Sequence, residues 1–523
     1  MDLEQRADRR GFSRRAFVLG ALSATTASVL AACAQPSSQP ATSAPAAAQP
    51  TPAATKPAAA ASPAAAASPA ASPAAAPAAS PAASAVAKPA ASPAVAAASP
   101  AASPSAVAGG APAFTINNPP PVASADQAKQ FANQQVSYYG DSVGLGHDID
   151  TALSNRFTQD TGIKINLVPK PASATDTFAQ YQRFFQGQSP DLDVLMIDVI
   201  WPGSLAPNLV DLNPKLGDAA KQHYPNIIDN NTINGALVGM PWFGDFGMLF
   251  YRKDLLQKYN IAAPPKTWDE LEQQATTITN GEKGANANFA GFVFQGNAYE
   301  GLTCNALEWL ASTGGGTFMD ESGQVTINNP QAAAILNKVR GWIGTIAPRG
   351  VTGYQEDESL NAFNGGNAAF LRSWPYVWGV VTKPDSVING KVDVAPLPAS
   401  QGQPVGTVGG WQLGVSKYSK SQDAAIEFVR YLTSPDVQAY RAVVGAYVPT
   451  IQSVASRADV LQIEPFLQNL QNVQRVVRPS KQTGDRYNEA STAIFQGVNQ
   501  VLNGQDAAQV LPGVQQRLQR LAG

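Results

Sequence analysis

The chain has 523 residues, with 36 lysines and arginines against 38 aspartates and glutamates and a formal net charge of −2. With no long basic run in the part able to fold, that balance argues against a nucleic-acid partner. Only two histidines and two cysteines are present, and no His-x-x-x-His, paired-cysteine, Gly-x-Ser-x-Gly or phosphate-loop motif occurs, so no metal and no cofactor are expected.

The amino terminus reads as an export signal. Arg14 and Arg15 lie in Ser13-Arg-Arg-Ala-Phe-Val18, an apolar run follows from Ala16 to Ala32, and it ends in Leu30-Ala31-Ala32-Cys33. Residues 1–33 resemble a twin-arginine signal joined to a lipoprotein processing site, which implies that Cys33 is lipidated and anchors the chain at the extracytoplasmic face of the cell membrane. An ordinary cleaved signal with an incidental cysteine is the alternative. Lipidation would consume the Cys33 thiol, so no disulfide is expected, and Cys304 reads as a small core residue. Residues 34–133 form an Ala/Pro/Ser-rich tether and lead-in. Frequent proline blocks the helix that alanine favours, which leaves an extended, disordered spacer with nothing to bury.

The folded part is expected from about Gln134. Val136–Tyr139 is a strand, Gly140 to Gly146 a turn, and Ile149, Leu153 and Phe157 recur at four-residue spacing as one face of a helix that Gly162 stops. Residues 163–168 return as a strand. Phe178, Tyr181, Phe184 and Phe185 mark a second helix, and Val194–Ile197 is an apolar run suited to a strand buried on both faces. Asp198 stands at its carboxyl end, where ligands collect in open α/β sheets, and Trp201 follows closely. Residues 243–254 form an apolar strand interrupted by Asp245, and Thr267 with Glu270 makes a capping box for the next helix. Gly365 and Gly366 turn the chain into a strand, Ala368–Leu371, that ends in Trp374, Pro375, Tyr376 and Trp378. Aromatics this dense, in a proline-stiffened segment, fit neither a helical nor a strand period and suggest a cleft wall. Strands at 392–397 and 409–416 and a helix bearing Ala425, Phe428, Val429 and Leu432 follow, and the remainder is largely helical. The alternation supports an α/β fold with mostly parallel sheets.

Asp191-Leu-Asp-Val-Leu-Met-Ile-Asp198-Val-Ile-Trp201-Pro-Gly203, Met248 to Leu255, Pro265 to Leu271, Tyr299-Glu-Gly-Leu302, Phe363 to Tyr376 and Gly409-Gly-Trp411 resemble, in order, the solute-binding proteins of ABC sugar importers, particularly the trehalose/maltose-binding branch. The resemblance implies a two-lobed, periplasmic-binding-protein-like fold of type II whose hinge the chain crosses three times. Lobe one would be 134–241 plus 397–434, and lobe two 242–396 plus 435–523. It further implies a monomer that closes on one disaccharide and docks onto a permease.

A sugar presents hydroxyls that want ionised acceptors and C–H faces that lie flat on aromatic rings. The resemblance carries Asp198 and Asp245 over as acceptors, Trp374 and Tyr376 as cleft aromatics, Gly410 and Trp411 as a backbone-plus-indole contact, and Arg478 as a ligand-contacting arginine, with Arg486 its competitor. Trp201 and Phe243 are further candidates, and Asp148 stands near where the family has a glutamate. Two alternatives share these features: a carbohydrate hydrolase using the cleft carboxylates, and a receptor for a non-sugar solute such as a polyamine.

Overall fold

The computed structural model describes residues 114–400, 403–469 and 472–522. The export signal, Cys33 and the tether up to residue 113 lie outside the described residues.

Two sheets organise the rest. The first contains β1 (Gln135–Gly140), β2 (Lys164–Pro169) and β3 (Val194–Asp198), all parallel, because the helices Gly146–Thr161 and Ala174–Gln186 provide the crossovers that parallel pairing needs. A short hairpin, β4 (Thr232–Ile233) with β5 (Ala236–Leu237), leads to β6 (Met240–Phe246). The second sheet contains β7 (Met248–Arg252), β8 (Ala290–Val293), β9 (Ala368–Ser373) and β10 (Val392–Ala395), in the order β10-β7-β9-β8. β11 (Val405–Val415) then runs antiparallel to both β3 and β6, and β12 (Gln474–Val476) adds to its start.

Strand direction departs from the parallel expectation in the second sheet. β7 follows β6 after Gly247 alone and pairs antiparallel with both β9 and β10, leaving β8 with β9 as the one parallel pair of that sheet. No helix separates β6 from β7, so nothing imposes a parallel crossover there. The chain passes between the sheets at Gly247, along β11, and again after β12. β11 belongs to both sides: Thr407 donates its hydroxyl to the Cys304 carbonyl at 2.9 Å, while Trp411 pairs with Asp198.

Two expected boundaries move. The folded part begins by Phe114 rather than Gln134, because apolar and carbonyl groups of the lead-in find partners: Phe114 packs edge-on to Tyr440, and the Ile116 and Pro120 carbonyls accept from the Tyr440 and Tyr431 hydroxyls. The helix Pro435–Gly445 packs on Gly146–Thr161 and Gln422–Leu432 of the first lobe as well as on Val377–Val381, while Phe466–Asn469 packs on β10 of the second sheet. The helix Pro435–Gly445 starts directly after Gln422–Leu432, with Ser434 accepting from the Val437 amide as its cap. Gln438 donates to the Trp242 carbonyl at 2.7 Å, and Thr450 meets buried His223. Tyr487–Leu502 and Ala507–Gln519 pack instead on the helices of the second lobe.

Candidate functional site

A narrow cavity lies between the lobes at the carboxyl ends of the first sheet's parallel strands. Each strand delivers one polar residue to it: Asp141 just after β1, Lys170 just after β2, and Asp198 ending β3. The strand-end rule applied to Asp198 applies equally to the other two. Asp141 is held firmly. Its Oδ1 accepts the Ser142 amide at 2.8 Å and its Oδ2 the Tyr447 hydroxyl at 3.1 Å. Behind it, Asp150 accepts the Asp141 amide at 2.8 Å and the Tyr138 hydroxyl at 3.0 Å; burial pushes its carboxyl up to about 6.

The hinge strands form the floor. On β6, Phe243 and Asp245 line the cavity, and on β11, Gly410 and Trp411. Gly410 has φ of 120°, and a Cβ there would lie 2.5 Å from the Phe243 carbonyl oxygen, so this backbone approach requires glycine. Lys170 places its ammonium 4.3 Å from the Trp411 ring centroid. Asp245 is distinctive. Its Oδ1 has no hydrogen-bond partner among the described residues, and burial, followed by the neighbouring Asp141 charge, raises its carboxyl well above the ordinary range.

The second lobe supplies the aromatic wall. Trp374 follows β9, with the Arg372 guanidinium 4.1 Å from its ring centroid. Its indole donates to Glu356 at 3.3 Å, and Glu356 also accepts the Tyr299 hydroxyl at 2.6 Å. Arg372 is itself fixed by Glu308, through Nε at 2.7 Å and Nη2 at 2.5 Å, with both side chains 1% exposed. Tyr376 is 7% exposed, and its hydroxyl is buried without a partner among the described residues. The lobes touch here: a Cβ on Gly144 would meet the Tyr376 ring at 2.6 Å.

Asp198 and Arg478 line the cavity but are paired with each other. Arg478 donates to Asp198 at 2.9 and 3.4 Å and to Glu300 at 2.8 Å. Glu300 accepts the Tyr487 and Ser491 hydroxyls at 2.5 and 2.6 Å, and its amide donates to Thr175 of the first lobe at 3.1 Å. Arg478 thus ties a carboxylate of each lobe to the hinge, a bridging arrangement that a simple ligand contact does not describe. Arg486 lies outside the cavity, exposed and paired with Glu489.

Two expected residues fall elsewhere. Asp148 is exposed on the first turn of Gly146–Thr161 and lines no part of the cavity, because that turn points it outward while Asp141 occupies the inner position. Trp201 is 1% exposed and belongs to the core behind the site, edge-on to Trp411 at 5.5 Å and packed on Phe178. Trp378 is partly buried against Phe466. Cys304 is a free, buried cysteine at the cavity's edge, its thiol pushed up by burial and so unsuited to act as a nucleophile. Sequence reasoning missed Asp141, Lys170, Glu356 and Tyr447, and it named Tyr299 and Glu300 only within a matching stretch, not as site residues.

Comparison with known proteins adds to this geometry. The family described as bacterial extracellular solute-binding protein matches residues 140–439. A probable ABC transporter-binding protein of Deinococcus radiodurans is 44% identical over 406 residues, covering 77% of this chain and 96% of its own length. The mannitol-binding protein of Pseudomonas aeruginosa is 26% identical over 219 residues, 41% of this chain and 49% of that one. Among solved structures, maltose-bound MalE3 of T. maritima superposes with a TM-score of 0.70 at 36% identity, covering 74% of this chain and 99% of that chain.

Proposed function

The chain belongs to the bacterial extracellular solute-binding protein family, and from that premise we propose that it captures a disaccharide of the maltose or trehalose kind between its lobes and delivers it to a membrane permease. Members of this family bind solutes for transport and are not enzymes, which removes the hydrolase alternative.

One observation carries the sugar reading. Beside the Trp374 face, the Tyr376 hydroxyl and Asp245 Oδ1 are buried without partners among the described residues. A buried polar group left unpaired costs about 1–3 kcal/mol. A ring stacked on Trp374 would bring hydroxyls to both groups and so supply their hydrogen-bond partners. The similarity to maltose-bound MalE3 supports the same class. Hinge closure around the sugar would be the mechanism, with Arg478 joining Asp198 and Glu300 as the closing contact.

Calorimetric titration of the purified protein with maltose, trehalose, mannitol and spermidine tests the reading. Binding of a disaccharide with little heat from spermidine is expected; silence across the sugars with binding of spermidine would overturn it.

For the amino-terminal part we propose lipid attachment at Cys33 and a spacer role for the Ala/Pro/Ser segment, which Leu30-Ala31-Ala32-Cys33 supports. Replacement Cys33→Ser should release the protein from the membrane fraction; unchanged membrane retention would contradict the anchor.

A further inference from the structure

Lys170 enters the cavity from a stiff stretch of backbone. It stands between Pro169 and Pro171, so its neighbours have fixed φ and it is itself confined to extended backbone, and its amide donates to the Gly140 carbonyl at 3.0 Å. The side chain is 3% exposed and lines the cavity. An ammonium carries three donors, yet among the described residues this one makes a single long hydrogen bond, 3.5 Å to the Pro171 carbonyl, and no ion pair. What holds it is the Trp411 ring, whose centroid lies 4.3 Å away. Trp411 is aimed in turn. β11 is irregular between Trp411 and Gln412 where it pairs with β6, and such a bulge re-aims a side chain. Trp201 meets the indole at 89° with centroids 5.5 Å apart, and packs behind on Phe178 and Tyr181 of the helix Ala174–Gln186. A run of core aromatics therefore ends at the ring that carries the Lys170 ammonium.

We propose that Lys170 is a ligand-binding residue that donates to oxygens of the captured sugar, and that Trp411 is a positioning residue acting through Lys170, not a platform on which the sugar stacks. The inference rests on the sugar reading of the cleft. Sugar oxygens accept as well as donate, and a cavity lined by Asp141, Asp198, Asp245 and Glu356 is rich in acceptors. Arg478, the other cation lining it, is engaged by Asp198 and Glu300, so Lys170 supplies the charged donor. Fixed at its root by two prolines and at its tip by a ring, the ammonium has little freedom left to lose when a ligand binds. A sugar stacked on the ring face that Lys170 covers would displace the ammonium and leave it buried without that contact.

The test is a double-mutant cycle on maltose affinity with the wild type, Lys170→Met, Trp411→Leu and the double variant, each checked for folding by thermal melting. Lys170→Met should weaken binding roughly tenfold or more. Trp411→Leu should weaken it by an equal or smaller factor, and Trp411→Phe, which keeps a ring face for the ammonium, should recover most of that loss. The double variant should bind like Lys170→Met alone, because the indole then has nothing to position. Losses that multiply in the double variant would mean that Trp411 meets the sugar itself, and unchanged affinity in Lys170→Met would remove the donor; either result overturns the inference. Should Trp411→Leu fail to fold, Trp411→Phe in the Lys170→Met background carries the test: it should bind like Lys170→Met alone, and further weakening there would contradict the proposal. Wild-type protein that binds neither maltose nor trehalose overturns the sugar reading, and this inference with it, an outcome distinct from saturable binding in which the two losses multiply.

Discussion

Arg372 in the second lobe and Arg441 in the first occupy matching positions, each 1% exposed and each under an aromatic side chain that faces the cleft. Their surroundings differ. Arg372 has a bidentate carboxylate in Glu308 and a further acceptor in the Gln295 side chain at 3.1 Å, and Glu308 in turn accepts the Thr407 amide at 3.0 Å. Arg441 has only ring faces. The first arrangement fixes a wall and spends its charge in doing so. The second is held by ring faces alone, two of which, Phe243 and Tyr447, line the cavity.

The largest expected effect tests the first half of that contrast. Glu308→Ala leaves a buried guanidinium unpaired and should cost about 3–5 kcal/mol in denaturant unfolding. Arg441→Met removes a cation that has no hydrogen bonds to lose, so its cost should be clearly smaller; equal losses would erase the distinction.

Acid sensitivity should also divide the lobes. His223 of the first lobe is buried, and burial lowers its pKa from 6.5 to about 4. The unfolded chain therefore takes up a proton that the folded chain refuses. Stability from this group is present above pH 6.5 and is lost as pH falls toward 4, by on the order of 3 kcal/mol. His223→Gln should flatten the thermal midpoint over that window, whereas an unchanged acid slope would assign the sensitivity elsewhere.

Trp374→Ala should weaken sugar binding by about 2 kcal/mol or more, roughly thirtyfold, while the Arg372–Glu308 pair beneath it preserves most of the second lobe's stability. A large fall in the thermal midpoint of the empty protein would instead make Trp374 a core residue. The smallest effect concerns Asp148, which is exposed outside the cavity. Asp148→Asn should leave affinity within about twofold, and a large loss would return it to the site.

These contrasts mark how far the sequence could be read. The dense aromatics after β9, Asp245 within an apolar strand and the glycine before Trp411 break local periodicity, and they do so where the backbone approaches the cavity. Asp198 was legible from its strand end. Asp141 and Lys170 occupy equivalent ends, yet each lies in a Gly- or Pro-containing turn that reads as punctuation. Trp201 follows the same strand closely, but the tight turn at Val199 and Ile200 carries it behind Trp411, a direction that spacing alone does not encode. Tyr447 and Arg441 lie some 300 residues from Asp141, so only tertiary packing brings them to the wall. The strand directions of the second sheet were likewise hidden, because β7 carries an apolar run that fits parallel or antiparallel pairing equally well. The link between the helices at 422–432 and 435–445 did carry a usable signal: Ser434-Pro435 is a helix start.

The central claim is that a sugar occupies the cleft between the Trp374 wall and the Asp245 floor, and titration of maltose into wild type, Trp374→Ala and Asp245→Asn side by side tests it most directly. The account predicts saturable binding by the wild type and losses of roughly tenfold or more in both variants, each still folded by thermal melting. Wild-type affinity in both folded variants would contradict it.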